Sequence, residues 1–162
     1  MLKHEPNQSA WHLAAGNELL LKLFNEYPTF HDAMVCSVSM ERAKRVKSAT
    51  PGVLFDPRKL ELVDVLLELK HRVPRSRAER VGQIDYGVTV ALLDVQACDI
   101  DLNAMLADSF VNEVTLSRET DGLFLFDLEP NIGLSMSVRC AEVQVRAVWP
   151  YPAESPFDEL LP

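Results

Sequence analysis

Across residues 87–149 one pattern recurs: apolar and polar residues alternate for a few positions, turn formers interrupt, and the alternation resumes. Residues 88–95 are strand-like, and Phe110, Asn112, Val114 and Leu116 alternate with their neighbours. Thr120-Asp121-Gly122 carries the Asp-Gly pair of a tight hairpin, after which residues 123–128 return as a strand. Pro130-Asn131-Ile132-Gly133 makes a further turn before Leu134, Met136, Val138 and Cys140. Ala141-Glu142 is a brief interruption, and Val143, Val145, Ala147 and Trp149 resume the row. A period of two sends successive side chains to opposite faces, so each segment is a strand with one buried face. Short strands joined by turns build an antiparallel sheet.

The first half adds one helix and more strands. Leu19, Leu20, Leu23 and Phe24 fall on one helical face, with Glu18, Lys22 and Glu26 opposite. Asn17 is the expected N-cap, and Pro28 is expected to stop the helix at Tyr27. Met34, Cys36, Val38 and Met40 then form an apolar row of a strand, followed by a basic exit from Arg42 to Lys47 and a Thr50-Pro51-Gly52 turn. Residues 60–69 fit a strand with a register change better than a helix, although both remain open. The expectation is an α+β fold, mainly β: one antiparallel meander sheet of roughly six to seven strands, curled, with the N-terminal helix packed on it. The chain reads as a single domain, 1–162, with a loose N-terminus (1–10) anchored by Trp11, a basic loop (70–84) and an acidic-apolar tail (153–162).

Composition narrows function mainly by exclusion. At 48% hydrophobic and 25% charged the chain can bury a sizeable core. The lack of a long apolar run or a signal-like N-terminus points to a cytoplasmic protein. The net charge of −8 is uneven: residues 1–81 carry 13 Lys/Arg against 10 Asp/Glu, and residues 82–162 carry 3 against 14. An acidic half argues against nucleic acid or anionic membrane as partner and favours a basic one.

No motif supplies a catalytic centre. Cys36, Cys98 and Cys140 stand apart, and Cys36 and Cys140 lie in apolar rows, as core thiols do. The histidines (His4, His12, His31, His71) are equally dispersed, so no metal site is expected. Six glycines form no phosphate-cradling loop, and no cofactor is expected. The pairs Asp99/Asp101 and Glu119/Asp121 sit in or beside turns, where carboxylates bond their own backbone. His31-Asp32 is the one remaining pair, but neighbours in an extended segment point apart. A structural corner is the better reading: Phe30 plugs the core and Asp32 ties the turn.

The segment Tyr27-Pro28-Thr29-Phe30-His31-Asp32-Ala33 resembles the (W/Y)-P-S-F-H-D-A-E motif of immunity protein family 50, from bacterial polymorphic toxin systems. A helix before it, an alternating strand ending in Arg42 after it, and the late Cys140 strand followed by Pro150 agree with the family's order. Met34 departs from the motif's glutamate, and residues 42–84 are long and basic. The resemblance implies a non-enzymatic cytoplasmic protein that binds and neutralises a cognate toxin, with Tyr27, Pro28, Phe30, His31 and Asp32 as a structural signature. A basic, nuclease-like toxin domain would then meet Asp99, Asp101, Asp108, Asp121 and Glu129, the protein acting as monomer or homodimer. Two other classes stand beside this one: a small enzyme or small-molecule binder using a His31/Asp32 pocket, and a structural or dimerisation domain.

Overall fold

The computed structural model describes residues 9–44, 61–72 and 85–150. The alternating segments become six antiparallel strands: β1 (Met34–Lys44), β2 (Glu61–Arg72), β3 (Asp85–Ile100), β4 (Phe110–Arg118), β5 (Phe124–Ile132) and β6 (Met136–Pro150). Their order is β1-β2-β3-β6-β5-β4, and the curled sheet closes into a barrel where β4 meets β1. The chain therefore makes two three-stranded meanders, β1–β3 and β4–β6, joined side by side through β3 and β6. These two strands are the longest, at 16 and 15 residues, and pair from Tyr86↔Pro150 to Ile100↔Met136. Ala141-Glu142 does not interrupt β6, because Glu142 pairs with Leu93. Register shifts between Thr89/Val90 and Val95/Ala97 bend this long pair.

The inward positions follow the predicted period. Val65, Leu67 and Leu69 of β2, Val88, Val90 and Leu92 of β3, and Phe124, Phe126 and Leu128 of β5 are buried in one core cluster. Met136, Val138 and Cys140 of β6 belong to it too. Cys36 does not: a bulge between Val35 and Ser37 shifts the row, so Val35 is buried, Cys36 half-buried and Met40 exposed. A second bulge in β4 makes Val111, not Phe110 or Asn112, the buried partner of Val114 and Leu116. Pro130, expected in a turn, lies within β5 opposite Val111 at that bulge, and the turn comes later, at Gly133 (φ 89°). Residues 61–69 are strand, paired to β1 without a break from Lys44↔Glu61 to Ser37↔Glu68. Of the expected basic loop, Lys70 to Arg72 belong to β2; residues 73–84, like 1–8 and the tail 153–162, lie outside the described residues.

The N-terminal segment covers the core. A 3-10 helix, Ala10–Leu13, seats Trp11, 2% exposed, with its ring 6.0 Å from Phe30 and 6.4 Å from Phe126. Ala15 then pairs with β6: its N–H donates to Val143 O (3.0 Å), and Val145 N–H donates to Ala15 O (2.7 Å). Gly16, at φ 74°, passes so close to the Val145 carbonyl that no Cβ would fit. Helix α1 (Glu18–Phe24) buries Leu20 and Phe24, one turn apart. It is Asn25, left-handed at φ 64°, that ends the helix, its N–H donating to Leu21 O; Pro28 lies beyond. Asn17 does not cap with its side chain. Its Nδ2 donates to Ala14 O (2.8 Å), and its Oδ1 accepts from Tyr27 Oη (2.8 Å), tying the helix start to the corner that follows.

Candidate functional site

The corner between α1 and β1 is the seam of the barrel. Residues 29–35 run along β4: Val114 N–H donates to Thr29 O (2.8 Å), Asp32 N–H to Val111 O (2.9 Å), Val111 N–H to Ala33 O (2.8 Å) and Val35 N–H to Ser109 O (2.9 Å). Phe30 and Asp32 both take positive φ, 59° and 64°, a conformation costly for residues with a side chain. Complete burial of the Phe30 ring, between Trp11 and His71, offsets that cost.

His31 and Asp32 do not point apart as expected. The left-handed Asp32 backbone brings His31 Nε2 to 3.7 Å from Asp32 Oδ1, while His31 Nδ1–H donates to Asn112 O (2.8 Å). Both side chains are mostly exposed, 59% and 76%, so water screens the pair. The Asp32 backbone N–H, rather than its carboxylate, ties the turn. Asp32 also lines an open cleft of about 500 Å³ with Met34, Lys70, Arg72, Asp85 and Phe110. Asp85 sits 3.6 Å from Lys70 and 3.5 Å from Arg72, so charge there is balanced. None of these lining side chains is a hydroxyl or a thiol. His71, assigned from sequence to a loop, is in β2 with its ring 5.3 Å from both Phe24 and Phe30. Its Nδ1 is buried with no hydrogen-bond partner among the described residues, and burial pushes its pKa down to about 4 against the opposing pull of Asp85 and Asp32.

A second groove, of about 410 Å³, opens on the outside of the β4–β5–β6 meander. Its walls carry Asp99 from β3, Glu113 from β4, and Asp127 and Glu129 from β5, with Thr115, Ser135 and Ser137 between them. These are the outward positions that alternate with buried Val114, Leu128 and Met136. Register sets their spacing: Glu113 lies directly opposite Glu129, Thr115 opposite Asp127, and both Asp127 and Asp99 opposite Ser137. Asn112 Nδ2 donates to Glu129 Oε1 (3.2 Å). Among the described residues no Lys, Arg or His forms an ion pair with any of the four carboxylates.

Of the five carboxylates singled out from sequence, Asp99 and Glu129 line this groove. Asp101 and Asp108 lie at the same end of the barrel, flanking a 3-10 helix (Leu102–Leu106) whose start Asp101 caps by accepting from Asn103 N–H (3.2 Å). Asp121 is at the other end, in the β4–β5 hairpin, where it and Glu119 grip Arg139, each at 2.6 Å. The hydrogen bond and charge of Glu119 raise the Arg139 pKa further above its ordinary value, so this is a structural clamp. Glu113 and Asp127 were missed, although each is an outward position in a strand the alternation had already marked. Among the described residues no three His, Cys, Asp or Glu side chains are placed to hold a metal ion, and no helix is long and apolar enough to cross a membrane.

Fold and groove together define a closed antiparallel β-barrel covered by its own N-terminal segment, with an acidic outer groove whose carboxylates form no ion pair among the described residues. Comparison with protein-family models, with curated proteins and with solved structures finds no match to this chain.

Proposed function

We propose that the protein is a non-enzymatic immunity-type protein that neutralises a cognate bacterial toxin in the cytoplasm by binding it directly. The observation that carries this reading is the groove in which Glu113 faces Glu129 across two strands, with Asp127 and Asp99 beside them. Like charges directly opposite one another oppose folding, typically by about 0.2–1 kcal/mol. A basic partner surface relieves that repulsion on binding and is steered toward it beforehand. The Phe30-His31-Asp32-Ala33 resemblance points the same way. A toxin acting on nucleic acid needs a basic active surface, and an acidic barrel wall laid over it excludes the substrate.

The test is co-expression with the C-terminal domain of a toxin encoded beside this chain. The expected outcome is restored growth, co-elution of the two proteins, and association that slows as salt rises. Undiminished toxicity with the barrel in excess refutes the reading.

A second reading, a small-molecule binder at the seam, is favoured by the approach of His31 Nε2 to Asp32 Oδ1 beside the Lys70/Arg72/Asp85 cleft. It requires that His31→Ala abolish the biological effect, whereas toxin binding through the acidic groove leaves that variant active.

A further inference from the structure

The β3–β4 connection presents apolar side chains outward at the end of the barrel where the acidic groove opens. In the 3-10 helix Leu102–Leu106, Ala104 and Met105 pack on the core, while Leu102 is 59% and Leu106 89% exposed. Phe110 and Ile132, paired opposite each other where β4 begins and β5 ends, are exposed as well. A single exposed leucine is ordinary, but Leu102, Leu106, Phe110 and Ile132 are four large apolar side chains left exposed on the elements that meet at one end of the barrel.

This end is also held rigid, through the buried Ser109. Its Oγ–H donates to Ala104 O (3.3 Å) and its Oγ accepts from Leu134 N–H (3.0 Å). Asp101 N–H donates to Ser135 O (3.4 Å), and Gly133, at φ 89°, lies against Asp108 and Ser109 with no room for a Cβ. The helix, the start of β4 and the β5–β6 turn are thereby one clamped unit. Leucines presented on such a unit are carried by a backbone already ordered, so binding costs only their side-chain freedom.

We propose that this end is the anchoring part of the partner interface, with Leu106 entering an apolar socket on a basic protein domain. The inference rests on the immunity reading above and adds to it the location and chemistry of the contact. Charge selects the occupant: Asp101 and Asp108 flank the helix in sequence, and Asp99 and Glu129 open the groove beside it. Exposed leucines with carboxylates on the flanking positions match an apolar socket bordered by Lys and Arg, in the usual arrangement of apolar core and polar rim. A second copy of this chain would bring carboxylates against carboxylates.

The experiment measures binding of the full chain to the inactivated C-terminal domain of the neighbouring toxin by calorimetry. Leu106→Ser and the Leu102→Ser/Leu106→Ser double variant are compared with wild type, Leu106→Met and Met40→Ser, which changes an exposed apolar side chain of β1. The expected result is that the Leu102 and Leu106 serine variants lose at least about tenfold in affinity with unchanged melting temperature, as truncated anchors do, while Leu106→Met and Met40→Ser bind as wild type. If wild type binds and the Leu102 and Leu106 serine variants bind equally well, the anchor is wrong and the immunity reading stands. If wild type does not bind, both fall. If wild type alone sediments as a dimer that Leu106→Ser dissociates, the occupant is a second copy and the proposal is overturned.

Discussion

His71 provides a direct measure of how tightly the seam is packed. Its ring lies between Phe24 and Phe30, both at 5.3 Å, and burial lowers its pKa from 6.5 to about 4. The unfolded chain takes up this proton near pH 6.5 and the folded chain only near pH 4, so between those values the unfolded state holds more protons. Stability therefore falls as pH falls through this window, by about 1.4 kcal/mol per pH unit once the unfolded histidine is fully charged. Over the whole interval the loss is about 3 kcal/mol. Urea unfolding of wild type and His71→Phe at half-unit steps from pH 7.5 to 4 isolates the contribution, since titrations common to both cancel in the difference. The variant keeps an aromatic ring between Phe24 and Phe30 and loses the titrating group, so its curve is expected to be the flatter one by about 3 kcal/mol at the acid end. Parallel curves would mean that His71 is hydrated, or paired, when the protein is folded, and the packing account of the seam would be wrong.

Phe30→Ala is expected to cost about 3–5 kcal/mol in urea unfolding, because the ring is fully buried and supports a left-handed backbone. Combined with Trp11→Ala, whose ring is 6.0 Å away, the loss should be less than additive. A thiol reagent in excess should label exposed Cys98 first and Cys140 only after unfolding, burial having pushed the Cys140 pKa up to about 12; mass spectrometry of time points distinguishes the sites. Glu113→Gln should raise stability by about 0.5 kcal/mol, by removing the repulsion from Glu129, and at the same time slow association with a basic toxin domain. Stopped-flow association that keeps its wild-type rate and salt slope would remove Glu113 from the interface.

The sheet could be read from the sequence because a period of two is a local property, written residue by residue in β4, β5 and β6. The order of the strands could not. That β3 returns to lie beside β6, placing Asp99 across from Ser137 and next to Asp127, is a pairing between segments some forty residues apart, and no local pattern encodes it. Bulges hid the rest. One extra residue at Cys36 and another at Asn112 reverse which side of the strand faces inward, so Cys36 was placed in the core and Val111 outside it. The corner failed for a different reason: Asn25, Phe30 and Asp32 all take left-handed backbone, and Phe30 does so only because tertiary burial makes it worthwhile. His31 and Asp32 came together on that account, against the expectation for an extended pair.

A barrel filled by Trp11, Phe30, Phe126 and Leu134 leaves its outer surface and its ends as the places where a partner can act. The two outer candidates differ in electrostatic self-sufficiency. At the seam, Lys70 and Arg72 lie against Asp85, so the charge of this cluster is balanced before any ligand arrives. In the groove, Glu113, Glu129, Asp127 and Asp99 stand at outward positions where register alone forces them together, and among the described residues no cation answers them. Outward strand positions tolerate neutral side chains without disturbing the core, and among the described residues the Asn112–Glu129 hydrogen bond is the one folding contact these carboxylates supply. The fold is less stable for having them, and a basic surface laid against them recovers that loss as binding free energy. Among the described residues the groove thus has an unmet interaction that the seam lacks, and this asymmetry is the physical reason for proposing the acidic meander, rather than the seam, as the surface to test for recognition.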